Sequence, residues 1–267
     1  MNEEIKRRID SMKDVPAMPN VVIKALDVVK NPNSSIKELG DIITFDQSLS
    51  IKVLNIVNSA YYGFAQQINS ISRALALLGL NRTKNLIITV AMKPMFSSEK
   101  NKKLWEHSIL AAVGCEFLAE HLNIRDCDEA FVIGFMHDIG KIILNMQDKD
   151  ILAKIQEFVD DGSDVLETED AFLQTNHSEV GAALAKKWQL PILLTNVIKY
   201  HHNPAKSSVP VECSLVYLVD KLIQDKFNPD SIKEEYYQAL NITLDRPDIL
   251  RDSILKRATS LLGELAK

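Results

Sequence analysis

The segment FVIGFMHDIGKIIL, residues 131–144, places a histidine, an aspartate and a lysine inside a run of aliphatic and aromatic residues. The apolar residues favour a buried helix, in which an imidazole, a carboxylate and an ammonium group are costly unless they are paired or bound to a metal. His137, Asp138 and Lys141 therefore either satisfy one another within a core or bind a ligand. The other polar residues of the chain bear on this choice.

Apolar residues recur with helical spacing along most of the chain, which predicts an all-α protein. Ser35 stands directly before an apolar repeat that begins at Ile36, so its hydroxyl can cap that helix. No segment alternates convincingly between apolar and polar residues, and no strand is predicted. Besides the helix that begins at Ile36, the predicted helices are 21–29, 48–58, 70–78, 81–92, 104–122, 128–137, 139–147, 149–160, 168–173, 178–187, 191–199, 210–226, 231–240 and 247–265.

The polar segment PMFSSEKNKK, residues 94–103, is the clearest internal boundary. We predict an N-terminal helical bundle over residues 1–96, packed on a second helical bundle over 97–226. A helical tail, 227–267, matches no motif and is expected to pack on the domain or to mediate a homodimer. In the first bundle, Tyr61 and Tyr62 either pack at a helix end or form part of a partner-binding surface.

The composition of the 267 residues, 46% hydrophobic and 25% charged, is typical of a globular protein. The net charge is −5 and no cluster of lysine and arginine occurs, which argues against direct nucleic-acid binding. No apolar run approaches the roughly 20 residues of a membrane span. The charged N-terminus lacks the apolar core of a secretion signal. These features predict a cytoplasmic protein without membrane contact.

The cysteines do not form a recognisable metal or disulfide motif. Cys115, Cys127 and Cys213 are odd in number, widely spaced and outside any CxxC pair. Reduced thiols are the expected state of such residues in a cytosolic protein, and a zinc-thiolate site is not predicted.

Histidines and aspartates stand in apolar surroundings on several predicted helices of the second half of the chain. His121 lies near a helix end, where the helix dipole favours a cation. His201 and His202 occupy a similar position, and Asp220 could lie on a polar face beside Lys221. Because several such residues recur on separate helices, however, a shared divalent-metal site is favoured over isolated roles; its candidate ligands are His107, His137, Asp138, His177, His201, His202 and Asp220.

The chemistry of this set suits phosphoester hydrolysis. Asp138 could contact one ion or bridge two, and a pair of metal ions can clamp a phosphate and activate water. Lys141, one helical turn after His137, could bind a phosphate oxygen as a point charge. Because at least three ligands are imidazoles, one or two ions of iron, manganese, nickel or zinc are expected in preference to calcium.

The order of these residues resembles the HD superfamily of metal-dependent phosphohydrolases, whose signature is a histidine, a His-Asp pair and a later aspartate on separate helices. The additional histidines His177, His201 and His202 are similar to those of the subgroup that cleaves cyclic di-GMP. The chain departs from that subgroup in the segment NPAKSSVP, residues 203–210, which contains neither Arg-x-Asp-Gly nor Gly-Tyr-Pro.

A longer resemblance covers about residues 15–225. The stretches VPAMPNVVIKALDVVKNPNSSIKELGDIITFDQSLSIKVLNIVNSAYYGF (15–64), INSISRALALLGLNRTKNLI (68–87) and NHSEVGAALAKKWQLPILLTNVIKYHHNP (176–204) are similar to the HDOD domain of bacterial signalling proteins. The family implies a regulatory module without established catalysis, in which metal ligands are often lost.

This chain retains the residue types of the HD ligand set. By resemblance, one metal position corresponds to His107, His137, Asp138 and Asp220. A second position corresponds to His177 with His201 or His202, and Lys141 corresponds to the position that contacts the substrate phosphate.

Two alternative functions are therefore expected, and only the second of them involves catalysis. The first is a stand-alone regulatory module that binds a metal or a small ligand such as a nucleotide and acts through a signalling protein partner. The alternative is a metal-dependent phosphohydrolase of a nucleotide or cyclic dinucleotide, in which Asp138 and Lys141 are catalytic.

Overall fold

The computed structural model describes Arg7 and residues 17–30, 35–124, 129–243 and 246–267, without the side chains of residues 29 and 30. Within these ranges every regular element is a helix, which confirms the all-α prediction. Cys127 and the predicted start of a helix at residue 128 lie outside the described residues. Among the helices of the described ranges, none combines the length and the apolar character that a bilayer span requires.

The chain divides into two compact units, of which one comprises residues 18–95 and 252–267. The last helix contributes residues to both units, and the predicted division into 1–96, 97–226 and 227–267 stays a prediction. Among its described residues, the smaller unit contains four complete helices: α1 (Asn20–Lys30), α2 (Ile36–Phe45), α3 (Gln47–Val57) and α4 (Ile71–Met92).

Helix α4 packs against α1, α2 and α3 and forms the centre of this unit. Ser35 lies at the N-cap of α2, where Glu38 Oε1 accepts a hydrogen bond from the Ser35 backbone N–H (3.2 Å). The predicted helices 70–78 and 81–92 are continuous in α4 apart from a kink at Gly79, whose φ of 76° is a left-handed conformation that glycine tolerates. Tyr61 and Tyr62 form an edge-to-face pair in the loop between α3 and α4, and both remain partly exposed.

The larger unit includes the described residues of the range 96–251 and contains the segment 131–144. Its helices are α5 (Lys102–His121), α6 (Ala130–Met136), α7 (Lys141–Leu144), α8 (Lys149–Asp160), α9 (Val165–Leu173), α10 (His177–Lys187), α11 (Ile192–Tyr200), α12 (Pro210–Leu222), α13 (Glu234–Ala239) and the start of α14 (Pro247–Leu265).

Several predicted boundaries were wrong because local turns interrupt the helical pattern. The predicted helices 128–137 and 139–147 shorten to α6 and α7, since residues 137–140 form a turn in which the Lys141 N–H donates to Asp138 O (2.9 Å). The polar segment 94–103 contains two short 3-10 turns. Residues 231–240 likewise begin in a 3-10 turn and become α-helical only at α13.

Two glycines allow the backbone around the HD turn to pack closely. A Cβ atom at Gly134 would lie 2.5 Å from the backbone oxygen of Ala111 on α5. A Cβ atom at Gly140 would overlap the His177 carbonyl oxygen and lie 2.6 Å from the backbone nitrogen of Gly181 on α10. Because both positions lack a side chain, α5 and α10 can pack closely against the backbone around residues 137–140, which is called the HD turn below.

Candidate metal centre

The seven ligands predicted from the sequence lie close together in the larger unit, and they come from several of its helices and turns. His107 lies on α5, and His137 and Asp138 lie in the turn between α6 and α7. His177 is the first residue of α10, which places its ring at the start of that helix. The remaining three are His201 and His202, directly after α11, and Asp220, in the last turn of α12.

One set of ligand atoms surrounds the Nε2 atom of His107. This atom lies 3.2 Å from His137 Nε2 and 3.3 Å from both Asp138 Oδ2 and Asp220 Oδ1. In a tetrahedral site with metal–nitrogen bonds of roughly 2.0–2.1 Å, neighbouring ligand atoms are about 3.3 Å apart. The first set therefore has the spacing of ligands around one ion.

A second set lies on the other side of the Asp138 carboxylate. Asp138 Oδ1 is 3.3 Å from His177 Nε2 and 3.6 Å from His201 Nε2. His177 Nε2 is in turn 3.4 Å from His201 Nε2 and 2.9 Å from His202 Nε2. Asp138 thus directs one oxygen to each set of histidines.

The ring orientations are set by hydrogen bonds at the opposite nitrogen. His137 Nδ1 donates to the Gly134 carbonyl oxygen (2.7 Å), and His201 Nδ1 donates to the Ile198 carbonyl oxygen (3.0 Å). A carbonyl oxygen only accepts hydrogen bonds, so in the neutral rings Nδ1 carries the proton and Nε2 presents a lone pair to the cluster. Partners of this kind are what hold metal-binding histidines in place.

Glu169 on α9 performs the same task for His177, and sequence reasoning missed it. Its Oε2 atom accepts hydrogen bonds from both the backbone N–H and the Nδ1 of His177, each at 2.7 Å. Glu169 is buried, although it belongs to the acidic run ETED, residues 167–170, which is typical of a solvated surface. The only sequence signal is its place on a short helix just before His177.

The polar groups of the cluster would be better satisfied by a bound cation than they are by one another. Asp138 Oδ1 is buried and has no hydrogen-bond partner among the described residues. It faces the lone pair of His201 Nε2, an arrangement that is repulsive without a positive charge between the two atoms. A divalent ion would satisfy both groups, so the residues present fit a metal.

Charges within the cluster shift the pKa values of its members. Burial lowers the pKa of His201 well below its ordinary value and that of His202 to about 3, and nearby imidazoles add to both effects. Burial also opposes the charged form of His107, but hydrogen bonds to Asp138 and Asp220 raise its pKa to about 9. His201 and His202 are therefore neutral at physiological pH, which is the form that binds metals.

Lys141 contacts the same carboxylate from the cavity side. Its Nζ lies 2.6 Å from Asp138 Oδ2. Burial alone would raise the pKa of Asp138, but the Lys141 charge and the neighbouring imidazoles hold that pKa well below its usual range. About a third of the Lys141 side chain (32%) is exposed. Lys141 therefore neutralises part of the carboxylate charge and remains accessible to a ligand.

A cavity of about 410 Å³ opens at this cluster and is lined in part by His107, Asp138, Lys141 and Glu169. The cluster is thus reachable by a small molecule. His121 lies outside the cluster, at the end of α5, and stacks on Phe117 with ring centroids 5.4 Å apart. Cys115 and Cys213 are buried and belong to neither set of ligand atoms.

The all-helical fold and the cluster of five imidazoles and two carboxylates define a domain of the helical His-Asp class. Comparison of the sequence with protein families gives a more specific assignment. The HDOD domain matches residues 15–204, and the chain belongs to this family.

Individual relatives are distant and are longer than the matched region. An uncharacterised protein of Treponema pallidum is 26% identical over 200 residues, which cover 73% of this chain and 39% of that protein. The cyclic di-GMP phosphodiesterase CdgJ of Vibrio cholerae is 29% identical over 142 residues, which cover 53% of this chain and 32% of CdgJ. The match thus spans about a third of the length of these two relatives.

A solved structure confirms the fold. The HDOD domain protein of Geobacter sulfurreducens superposes with a TM-score of 0.78 over 98% of this chain and 95% of that chain, at 24% sequence identity. At this level of identity the similarity supports the fold alone.

Proposed function

We propose that this chain is a metal-binding HDOD signalling module, in which the seven clustered side chains hold one or two divalent ions. The observation that carries the proposal is the position of Asp138, with Oδ2 directed to His107 and His137 and Oδ1 directed to His177 and His201. Bound metal would supply Lewis-acid activation of water and of a phosphoryl oxygen. Iron, manganese, nickel and zinc suit these ligands.

The protein residues have distinct roles in this proposal. Asp138 would offer one carboxylate oxygen to each set of ligand atoms, and the carbonyl and carboxylate partners of the histidines keep their Nε2 atoms directed into the cluster. Lys141 binds a phosphate oxygen of the ligand at the cavity side of the centre. The state of this centre, occupied or empty, would be signalled to a protein partner in the cytoplasm, and the module would also assemble as a homodimer.

Phosphohydrolysis is the second candidate, and the open cavity favours it. A purely structural polar core would need no access, whereas this cavity reaches both Asp138 and Lys141. The substrate class would be a nucleotide or cyclic dinucleotide, as the named activity of the Vibrio relative suggests. Because the match covers only 32% of that relative, its activity justifies a screen of these substrates but does not assign one to this chain.

Elemental analysis of protein purified without a chelating tag tests the proposal. We expect one or two transition-metal ions per chain in the wild type, loss of these ions in His137→Ala, Asp138→Ala, and retention in the control His121→Ala. Circular dichroism checks that the double variant is still helical. A metal-free wild type that iron, manganese and zinc do not reconstitute would refute the metal-binding function. A metal-loaded protein that hydrolyses no nucleotide or cyclic dinucleotide would leave the signalling role and reject the second candidate.

A further inference from the structure

The residues that line the cavity at the candidate metal centre form two chemically different groups, called here the aliphatic wall and the cationic wall. One wall is aliphatic and is built mainly from α7, α8 and α9. Leu152, Ile155 and Val159 recur at the spacing of one helix face on α8. The aliphatic side chains that line this part of the cavity are Leu144, Leu152, Ile155, Val159, Val165 and Leu173.

The other wall is cationic. Lys100, Lys103 and Lys141 line it, and the acidic groups that face the cavity are already engaged. Asp138 is paired with Lys141, and Glu169 accepts two hydrogen bonds from His177. An anion that enters the cavity therefore meets lysine side chains, and both carboxylates are engaged by hydrogen-bond donors of the protein.

The lining suits an aliphatic group better than a nucleobase. Among the described residues that line the cavity, the only side chain of a type on which bases stack is His107, which is one of the candidate metal ligands. The volume of about 410 Å³ is also near the lower end of the roughly 300–1,000 Å³ usual for small-molecule sites. This lining therefore disfavours the cyclic dinucleotide named for the second candidate function, which would need a larger site with more flat side chains.

We propose that the ligand of this cavity is a phosphate monoester of an aliphatic alcohol. The phosphate would lie between the lysines and the metal centre, and the alkyl chain would lie along the aliphatic face of α8 and α9. The phosphate end rests on the proposed metal-binding function, whereas the alkyl end depends only on the described cavity wall. The two parts can therefore be tested separately.

Isothermal titration calorimetry with a homologous series measures the alkyl part directly. The probes are inorganic phosphate, ethyl, butyl and hexyl phosphate, hexanoate and AMP, each titrated into metal-loaded and metal-free protein. A fully buried methylene improves affinity about fourfold, so Kd is expected to fall at least about tenfold from ethyl to hexyl phosphate. Hexyl phosphate should bind more tightly than both hexanoate and AMP.

Substitutions in each wall test separately the dependence of Kd on chain length and the affinity for phosphate. Leu152→Ser with Val159→Ser should abolish the dependence on chain length and leave the affinity for inorganic phosphate unchanged. Both positions are only partly buried, so the fold should tolerate the changes. Lys154→Ser, exposed on the same helix and outside the cavity lining, is the matched control and should behave like the wild type. Lys103→Ala should weaken all the phosphates by a similar factor.

The outcomes separate this inference from the proposed function. A Kd that does not change from ethyl to hexyl phosphate in either protein form, no binding at all, or tighter binding of AMP would overturn the inference. A metal-free protein that cannot be reconstituted but still shows the dependence on chain length would refute the metal centre and support the inference. Equal affinity for hexanoate and hexyl phosphate would overturn the assignment of the anion as phosphate.

Discussion

Glu169 holds His177 at two points, accepting one hydrogen bond from its backbone N–H and one from its ring Nδ1, each at 2.7 Å. The first bond fixes the start of α10, and the second fixes the direction in which Nε2 points. A single buried carboxylate thus couples the position of a helix to the orientation of a candidate metal ligand.

Glu169→Gln should weaken metal binding without removing a ligand. The amide oxygen can still accept both hydrogen bonds, but it lacks the carboxylate charge that strengthens them and raises the basicity of His177 Nε2. Mutation of such an outer partner lowers metal affinity about 10–100-fold, and competition with a chelator of known affinity measures the change.

Glu167→Gln on the same helix is the control, because Glu167 is exposed. Wild-type metal affinity in Glu169→Gln would show that the carboxylate charge of Glu169 has no bearing on the centre.

Gly140→Ala should destabilise the larger unit. The backbone of Gly140 has an ordinary helical conformation, with φ −61° and ψ −26°, so the effect would come from space and not from backbone strain. The added Cβ overlaps the His177 carbonyl oxygen, and such overpacking costs about 1–3 kcal/mol or more. Urea unfolding followed by circular dichroism measures the loss.

Gly263→Ala is the matched control, since a Cβ there meets no atom within 4 Å. Gly263 lies in α14, where alanine is favoured over glycine by up to about 1 kcal/mol. An unchanged free energy of unfolding in Gly140→Ala would contradict the close packing of the HD turn on α10.

Lys141→Ala should reduce phosphate binding and preserve metal binding. The variant removes a cation from the cavity wall but leaves all seven candidate ligands in place. A charged hydrogen bond contributes roughly 1.5–3 kcal/mol, so the Kd for inorganic phosphate should rise about tenfold or more.

Lys149→Ala supplies the comparison, because Lys149 is exposed and lies outside the cavity lining. If calorimetry gave both variants the same Kd for phosphate, the role of Lys141 in ligand binding would be rejected.

The thiol of Cys213 should resist alkylation in the folded protein. Burial raises its pKa from an ordinary value of 9.0 to about 11, against the hydrogen bond with Ser207 Oγ (3.1 Å). Because the pKa is higher by about two in the folded chain, the thiolate at pH 8 is about a hundredfold less abundant there than in the unfolded chain. Site-resolved mass spectrometry after iodoacetamide treatment, with and without urea, measures the difference.

The raised pKa of Cys213 also makes the stability of the folded protein depend on pH. Because the folded pKa is the higher one, the contribution of Cys213 is complete below about pH 9 and is lost as the pH rises towards 11. Equal alkylation rates in the folded and the unfolded protein at pH 8 would disprove the burial of this thiol.

Local sequence patterns were sufficient for much of the fold. Helical periodicity is a property of neighbours three and four residues apart, so the apolar repeats predicted most helices correctly. Gly79 marked the kink in α4 because a left-handed φ is cheap only for glycine. The predicted helix 139–147 failed because the turn at 137–140 depends on the packing of Gly140 against α10, which lies about 40 residues further along the chain.

The sequence by itself determined the helical class and the identities of the seven candidate ligands, because residue type and order along the chain carry that information. Only the tertiary structure revealed Glu169 as the partner of His177, the two sides of the Asp138 carboxylate and the two walls of the cavity. The physical reason is that these features arise from contacts between helices that are distant in sequence. Such contacts depend on how the apolar faces of α8, α9 and α10 pack in three dimensions, and no local pattern of residues encodes that arrangement.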